Sequence, residues 1–225
     1  MRYNVVMRRI IHYLQIVTLV VVIAGCAVTG PVAPGPAPRP TPREGDTYVW
    51  DARRLHRVVE VSALGVTWSK DHERHQTSAD FFATPQRVTS LHAQTVSRLE
   101  GDPARLWPLE VGKSVSFIET RTDTAIATGR STTQTLQWRC EVTDARMSYV
   151  PAGDYATYRV ECRASRGPLP VQRISWEYAP LLGHYVRHVT VVQGREEERV
   201  LVARLPGALA TPARIERLLN RPLPD

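Results

Sequence analysis

The sequence predicts an all-β protein, a curved antiparallel meander sheet or open barrel with one short C-terminal helix. Three observations carry this. Apolar and polar residues alternate with period two through runs rich in Val, Thr, Tyr and Trp, the pattern of half-buried antiparallel strands. Turn chemistry recurs between those runs, at Pro151-Ala152-Gly153, Arg166-Gly167-Pro168 and Gln193-Gly194, as a meander requires. Helical spacing is confined to the C-terminus, where Ile215, Leu218 and Leu219 make a small apolar face.

At the N-terminus, Arg8 and Arg9 precede an apolar stretch, Ile10 to Ala24, that ends in small residues. A positive start, a short apolar middle and a small-residue end describe a secretory signal peptide. The run is short for a membrane-spanning helix, which needs about 20 apolar residues. Ile23-Ala24-Gly25-Cys26 resembles the lipobox of bacterial lipoproteins. That resemblance implies that residues 1–25 are cut away and that Cys26, the new first residue, carries a diacylglycerol thioether and an acylated amine, with chains such as palmitate. Ala27 follows the cysteine, where lipoproteins kept in the inner membrane commonly carry aspartate. The resemblance therefore points to the outer membrane, facing the periplasm, with the membrane as a partner through the lipid anchor. Each buried CH₂ contributes about 0.8 kcal/mol, so several acyl chains anchor durably where one does not.

Six prolines then fall between Pro31 and Pro42. Proline fixes φ and lacks an amide donor, so residues 26–45 are expected to form the lipidated N-terminus and a solvated, extended spacer. Residues 46–225 are long enough for one β-rich domain with its own core. Loss of the signal peptide removes three arginines and no acid, lowering the net charge from +7 to +4. Basic residues such as Arg53, Arg54, Arg57, Arg195 and Arg199 lie among acids. No basic stripe with interleaved aromatics is present, which argues against a nucleic-acid partner.

The strands follow in order. Arg57 to Val61 runs through a turn candidate at Leu64-Gly65 into Val66-Thr67-Trp68. Ser114 to Thr122 alternates around Val115 and Phe117, and Thr135 to Val142 places Leu136, Trp138, Cys140 and Val142 on one face. Ala156, Tyr158, Val160 and Cys162 repeat the pattern, as do Ile174, Trp176 and Tyr178; Tyr185 to Val192 and Arg199 to Leu205 are two more β-branched runs. At the end, Thr211 can cap a helix that Pro212 starts and Asn220 and Pro222 stop.

Cys140 and Cys162 share an inward face in a compartment where thiols oxidise. A three-residue loop at Pro151–Gly153 would set Val150 opposite Asp154 and leave the cysteines two residues out of opposition. Such diagonal neighbours lie about 7–8 Å apart, beyond the usual reach of a disulfide. Twist or a bulge near Asp144 would close the gap and pair them; without it they are two separately buried thiols.

Two further segments carry a likeness. Tyr149-Val150-Pro151-Ala152-Gly153-Asp154-Tyr155 and Trp176-Glu177-Tyr178-Ala179-Pro180-Leu181-Leu182-Gly183, with Leu106-Trp107-Pro108-Leu109 and Val111-Gly112-Lys113 upstream, resemble a group of uncharacterised proteobacterial periplasmic proteins and lipoproteins with an all-β domain. The resemblance implies architecture and address and supplies no activity. Trp107 and Trp176 read as core aromatics, and with Tyr178 they are the candidates for contact with a ligand or partner.

Catalytic chemistry is not legible. His184 and His188 have the spacing that chelates a metal on a helix, but their β-branched neighbours make a strand, which separates them by about 13 Å. His72 and His75 sit in a charged stretch between strands, and Glu196-Glu197-Glu198 reads as a solvated turn. No nucleophile elbow or phosphate-cradling loop is present. The expectation is a non-enzyme without metal or cofactor. It is a tethered module that binds an envelope protein or the cell wall through a sheet edge or exposed aromatics. A carrier of an apolar ligand in the concavity of the sheet is the first alternative, resting on the inward Trp138, Tyr158, Trp176 and Tyr178. A hydrolase with an unrecognised site is the second.

Overall fold

Alternation becomes twelve strands in a computed structural model that describes residues 35–63, 65–71 and 74–220. Residues 1–25, expected to be a signal peptide, and Cys26, Leu64 and His72 lie outside the described residues. The strands are β1 (Thr47–Trp50), β2 (Arg54–Ser62), β3 (Gly65–Lys70), β4 (Arg74–Ser78), β5 (Arg87–Thr89), β6 (Ala93–Glu100), β7 (Ser114–Ala125), β8 (Ser131–Val150), β9 (Gly153–Arg166), β10 (Leu169–Ala179), β11 (His184–Val192) and β12 (Arg195–Leu205), followed by one helix, α1 (Pro212–Leu219). Each strand pairs antiparallel with the next, and β12 pairs with β1, so the expected meander closes into a barrel. Closure satisfies every strand's hydrogen-bonding edge. The sheet edge expected as a docking site is therefore gone.

Up-and-down topology sorts the connections. Those after the odd-numbered strands gather at one end and are short turns, including Asp51–Arg53, Gly167–Pro168 and Gln193–Gly194. The other end holds the start of β1, the end of β12 and the two long connections, residues 79–86 and 101–113. Phe81 and Phe82 in the first of these turn into the barrel: Phe82 is buried and Phe81 stacks on Tyr178 at 5.2 Å. The long-loop end is thus plugged.

Inward positions hold the bulk. Tyr48, Trp50, Val58, Leu106, Phe117, Trp138, Tyr158, Val160, Trp176, Tyr178 and Leu201 are buried, each fully buried large apolar side chain contributing about 1.5–3 kcal/mol. Outward positions carry exposed charge, among them Arg98, Arg139, Arg163 and Glu196. A charged residue facing lipid at the membrane midplane costs about 2–4 kcal/mol, so this outer wall suits water. α1 lies on the outside, as expected, with Ile215 packed among Val49, Leu55, Leu205 and Ala210.

The cysteines are bonded, with Cα atoms 4.0 Å apart. Two departures from the expected hairpin bring them level. The loop is Pro151–Ala152, with Val150 opposite Gly153, and a register shift between Val142 and Asp144 takes up one more residue, so Cys140 faces Cys162 directly. Two other sequence readings are corrected. His75 lies within β4, and Glu196–Glu198 belong to β12, not to the turn. The proline-rich spacer also ends early: Ala37 exchanges backbone hydrogen bonds with Leu109 at 3.0 and 2.9 Å and is buried.

Gly65 opens β3 at φ +125°, where a Cβ would stand 2.4 Å from the Ser78 carbonyl oxygen. Gly65→Ala is expected to destabilise the barrel by roughly 2–4 kcal/mol. Gly194→Ala, at φ +78° with open space around it, is expected to cost only about 1 kcal/mol. Urea midpoints followed by circular dichroism check the difference.

Candidate functional site

The plug does not fill the barrel. A cavity of about 410 Å³ remains inside, with walls from β2–β4, β7, β8, β10–β12 and the connection 79–86. Its apolar surface comes from Trp68, Phe81, Trp138, Ile174, Trp176 and Tyr185, and its polar surface from Gln76, Ser78, Glu119, Gln172, Thr190 and several charged side chains.

Register explains how these meet. Directly opposed residues on neighbouring strands share a face, and Trp176, His188 and Arg199 are successive partners across β10, β11 and β12. On the far side of β1, His56 opposes Lys70 and Val58 opposes Trp68. A belt of aromatic, imidazole and cationic groups therefore runs around the inner wall.

His184 sits inside an aromatic cage, its ring centroid 3.8 Å from Tyr48, 4.3 Å from Tyr185 and 5.2 Å from Trp68. Burial, reinforced by the Lys70 and Arg204 charges, holds its pKa well below the ordinary histidine value. His56 is depressed in the same way by burial, then by Lys70 and neighbouring histidines and arginine. His188 is pushed down to about 4 by burial, Lys70 and Arg199, against a smaller upward pull from Glu197. All three are neutral at pH 7. The Nε2 atoms of His56 and His184 are buried with no hydrogen-bond partner, a desolvation cost of about 1–3 kcal/mol each.

Glu119, almost fully buried, accepts from Trp138 Nε1 at 2.8 Å, Ser97 Oγ at 2.8 Å and Thr84 Oγ1 at 3.1 Å. Those donors occupy the carboxylate and fix the Thr84 loop against the wall, a positioning arrangement rather than a reactive one. Nearer the short-turn end, Arg54 pairs with Asp71 at 3.0 Å and Arg199 with Glu197 at 2.6 Å.

At the plugged end the former spacer is itself part of the wall. Tyr158 donates to the Gly35 carbonyl at 2.6 Å and Tyr178 to the Pro38 carbonyl at 3.2 Å. Arg39 pairs with buried Asp80 at 2.8 Å, and Arg39, Pro40 and Pro42 line the cavity. Asp80 also accepts from Trp107 Nε1 at 2.7 Å.

The aromatics singled out by sequence thus divide. Trp176 faces the cavity, whereas Trp107 and Tyr178 brace the Phe81 loop and the N-terminal strap from behind. None stands on the outer wall as an exposed contact. His184 and His188 both line the cavity on β11, and no group of three metal-ligating side chains occurs among the described residues. Sequence reading missed His56, Lys70, Glu119 and Arg199. The one available signal was spacing: His56, Lys70, Glu119 and Arg199 each stand two residues from an inward apolar side chain, Val58, Trp68, Phe117 and Leu201 respectively.

The fold and cavity define a water-facing, twelve-stranded up-and-down barrel with an internal binding-sized space. No family model matches the chain, and no curated protein matches it. Among solved structures, the hypothetical lipoprotein YmcC from Escherichia coli is similar at 8% identity and TM-score 0.49, over 72% of this chain and 84% of that one. A chain from Bacteroides fragilis described as an exported protein with YmcC-like fold aligns at 11% identity and TM-score 0.40, over 76% of this chain and 100% of that one. A third, described as a lipoprotein, from Parabacteroides distasonis, aligns at 10% identity and TM-score 0.36, over 75% and 97%.

Proposed function

We propose that this protein is a lipid-anchored binding protein of the bacterial envelope whose barrel holds one small amphiphilic molecule. The cavity carries the reading. Its volume of about 410 Å³ falls in the range of small-molecule sites, about 300–1,000 Å³, which combine apolar walls with a few placed polar groups. A barrel serving only as a scaffold gains stability by filling that space with side chains. This one leaves it lined by tryptophans and keeps the Nε2 atoms of His56 and His184 buried without hydrogen-bond partners.

The address rests on the Ile23–Cys26 lipobox and the proline-rich stretch behind it. Metabolic labelling with an alkyne fatty acid should tag the protein, and Cys26→Ser should abolish the tag and release the chain from membranes. An unlabelled wild-type chain would remove the anchor from the account.

Binding is tested with phenyl-naphthylamine, an uncharged dye that fluoresces in apolar sites. Saturable binding of one dye per native barrel is expected. Thr190→Trp, which places an indole in the cavity, should weaken it at least tenfold. Binding without saturation, or binding indifferent to Thr190→Trp, would contradict the reading.

A further inference from the structure

We propose that the ligand is an uncharged amphiphile whose hydroxyl group hydrogen-bonds the Nε2 atoms of His56 and His184, with its apolar body against Phe81, Ile174 and Trp176. The proposal rests on the cavity being a binding site and names the head group that site takes.

Unpartnered polar atoms supply the argument. Among the described residues, the buried side-chain polar atoms without a hydrogen-bond partner are Trp50 Nε1, Asp51 Oδ1, His56 Nε2 and His184 Nε2. They gather around the end of β1. His56 opposes Tyr48 across β1 and β2, and the Tyr48 ring lies 3.8 Å from that of His184. The Trp50 ring stands 5.5 Å from His56 and 6.0 Å from His184, centroid to centroid. Both imidazoles line the cavity, and they are only 4% and 6% exposed. A buried nitrogen left unbonded is unfavourable, and a ligand that bonds it relieves that penalty. Neutral imidazole offers either a donor or an acceptor at Nε2, depending on its tautomer. A hydroxyl suits both, since it donates to a bare nitrogen and accepts from a protonated one. A carbonyl or an ether can only accept. Charge at this end opposes an ionic head of either sign. Arg54 is paired with Asp71 and Arg199 with Glu197, and the Asp51 carboxylate would repel an anion. Burial and then the Lys70 charge hold both imidazoles neutral, and the same charge repels a cationic head. Apolar wall continues from the head-group end: Tyr185 lies 5.8 Å from Phe81, and Phe81 lies 5.9 Å from Trp176. Ile174 lines the cavity beside Trp176 on β10.

The test compares naphthol, methylnaphthalene, naphthoate and naphthylmethylammonium, all substituted at the same ring position. The protein is the chain from Pro34 onward, whose described residues form one compact unit, with its disulfide intact. Titration calorimetry at pH 7.5 should show naphthol binding at least about tenfold more tightly than methylnaphthalene. Apolar transfer alone favours the methyl compound, so it predicts the opposite order. Naphthoate and naphthylmethylammonium are expected to bind more weakly than naphthol. His56→Phe with His184→Phe, which keeps the ring bulk and removes both nitrogens, should abolish the naphthol preference. Naphthol binding no tighter than methylnaphthalene, or weaker than either ion, would overturn the hydroxyl head while leaving the cavity reading intact. A folded double variant that keeps the preference would overturn the assignment to the two histidines. Binding of none of these compounds, nor of phenyl-naphthylamine, would overturn the cavity reading itself. Because the comparison is made in the unaltered protein, it decides whether or not the double variant folds.

Discussion

Acidification from pH 7.5 to 5 will lower the unfolding free energy of this barrel by several kcal/mol. His56, His184 and His188 are neutral in the folded state, with pKa values below the ordinary 6.5 and His188 at about 4. The unfolded chain takes up protons at these sites as pH falls through 6.5, and the folded chain does not. Their contribution to stability is therefore whole above pH 6.5 and shrinks as pH falls toward the folded values. For His188 alone the loss at pH 5 is about 2 kcal/mol, and the other two act in the same direction. The groups around them are Lys70, Arg199 and Arg204, which oppose protonation, and Glu197, which favours it. Glu177, Asp123 and Glu197 have depressed pKa values and lose their contributions only as pH falls through the carboxylate range. Between 6.5 and 5 the three histidines set the direction, offset in part by Asp51 and Asp80, whose pKa values burial raises and whose protonation on acidification favours the folded chain. Urea midpoints at the two pH values measure the effect; coincident midpoints would mean that the imidazoles are hydrated and charged.

Removing the disulfide is the second large effect. Cys140 and Cys162 close a loop of sequence separation 22, for which chain entropy gives about 3 kcal/mol. Cys140→Ala/Cys162→Ala should lower Tm by roughly 6–12 °C for a domain of this size. Both residues are fully buried beneath Phe82. Reductant is therefore expected to leave the native bond intact for hours and to cut it promptly once urea opens the barrel. An unchanged Tm in the double variant, or rapid reduction of the folded protein, would place the bond outside the core.

The difference between what the sequence revealed and what it hid follows from what faces inward. β7 to β10 were legible because inward Phe117, Trp138, Val160 and Trp176 alternate with polar or charged neighbours such as Ser116, Arg139, Glu161 and Glu177, and β11 and β12 because they are rich in valine. β4 was invisible because its inward residues, Gln76 and Ser78, line the cavity instead of filling a core. β6 was missed for a related reason: Ser97 turns inward to serve Glu119. A cavity lined by polar side chains erases the period-two signal on the strands that build it. His56, Lys70 and Arg199 were overlooked on the same ground. The strap failed differently. Proline removes amide donors but keeps its carbonyls, and those of Gly35 and Pro38 are what Tyr158 and Tyr178 grasp. Composition alone reads such a segment as solvated.

The cysteine hairpin lies between these cases. The shared face was readable, whereas register depended on a turn one residue shorter than expected and a bulge at Val142–Asp144. Either change alone leaves the cysteines out of opposition.

The claim that the barrel carries a small molecule is tested most directly by native mass spectrometry of protein isolated from the cells that make it and freed of detergent under non-denaturing conditions. The account predicts a species heavier than the denatured chain by one small amphiphile, which is lost on unfolding and regained by incubation with a lipid extract of the same cells. A bare polypeptide mass before and after that incubation would contradict it.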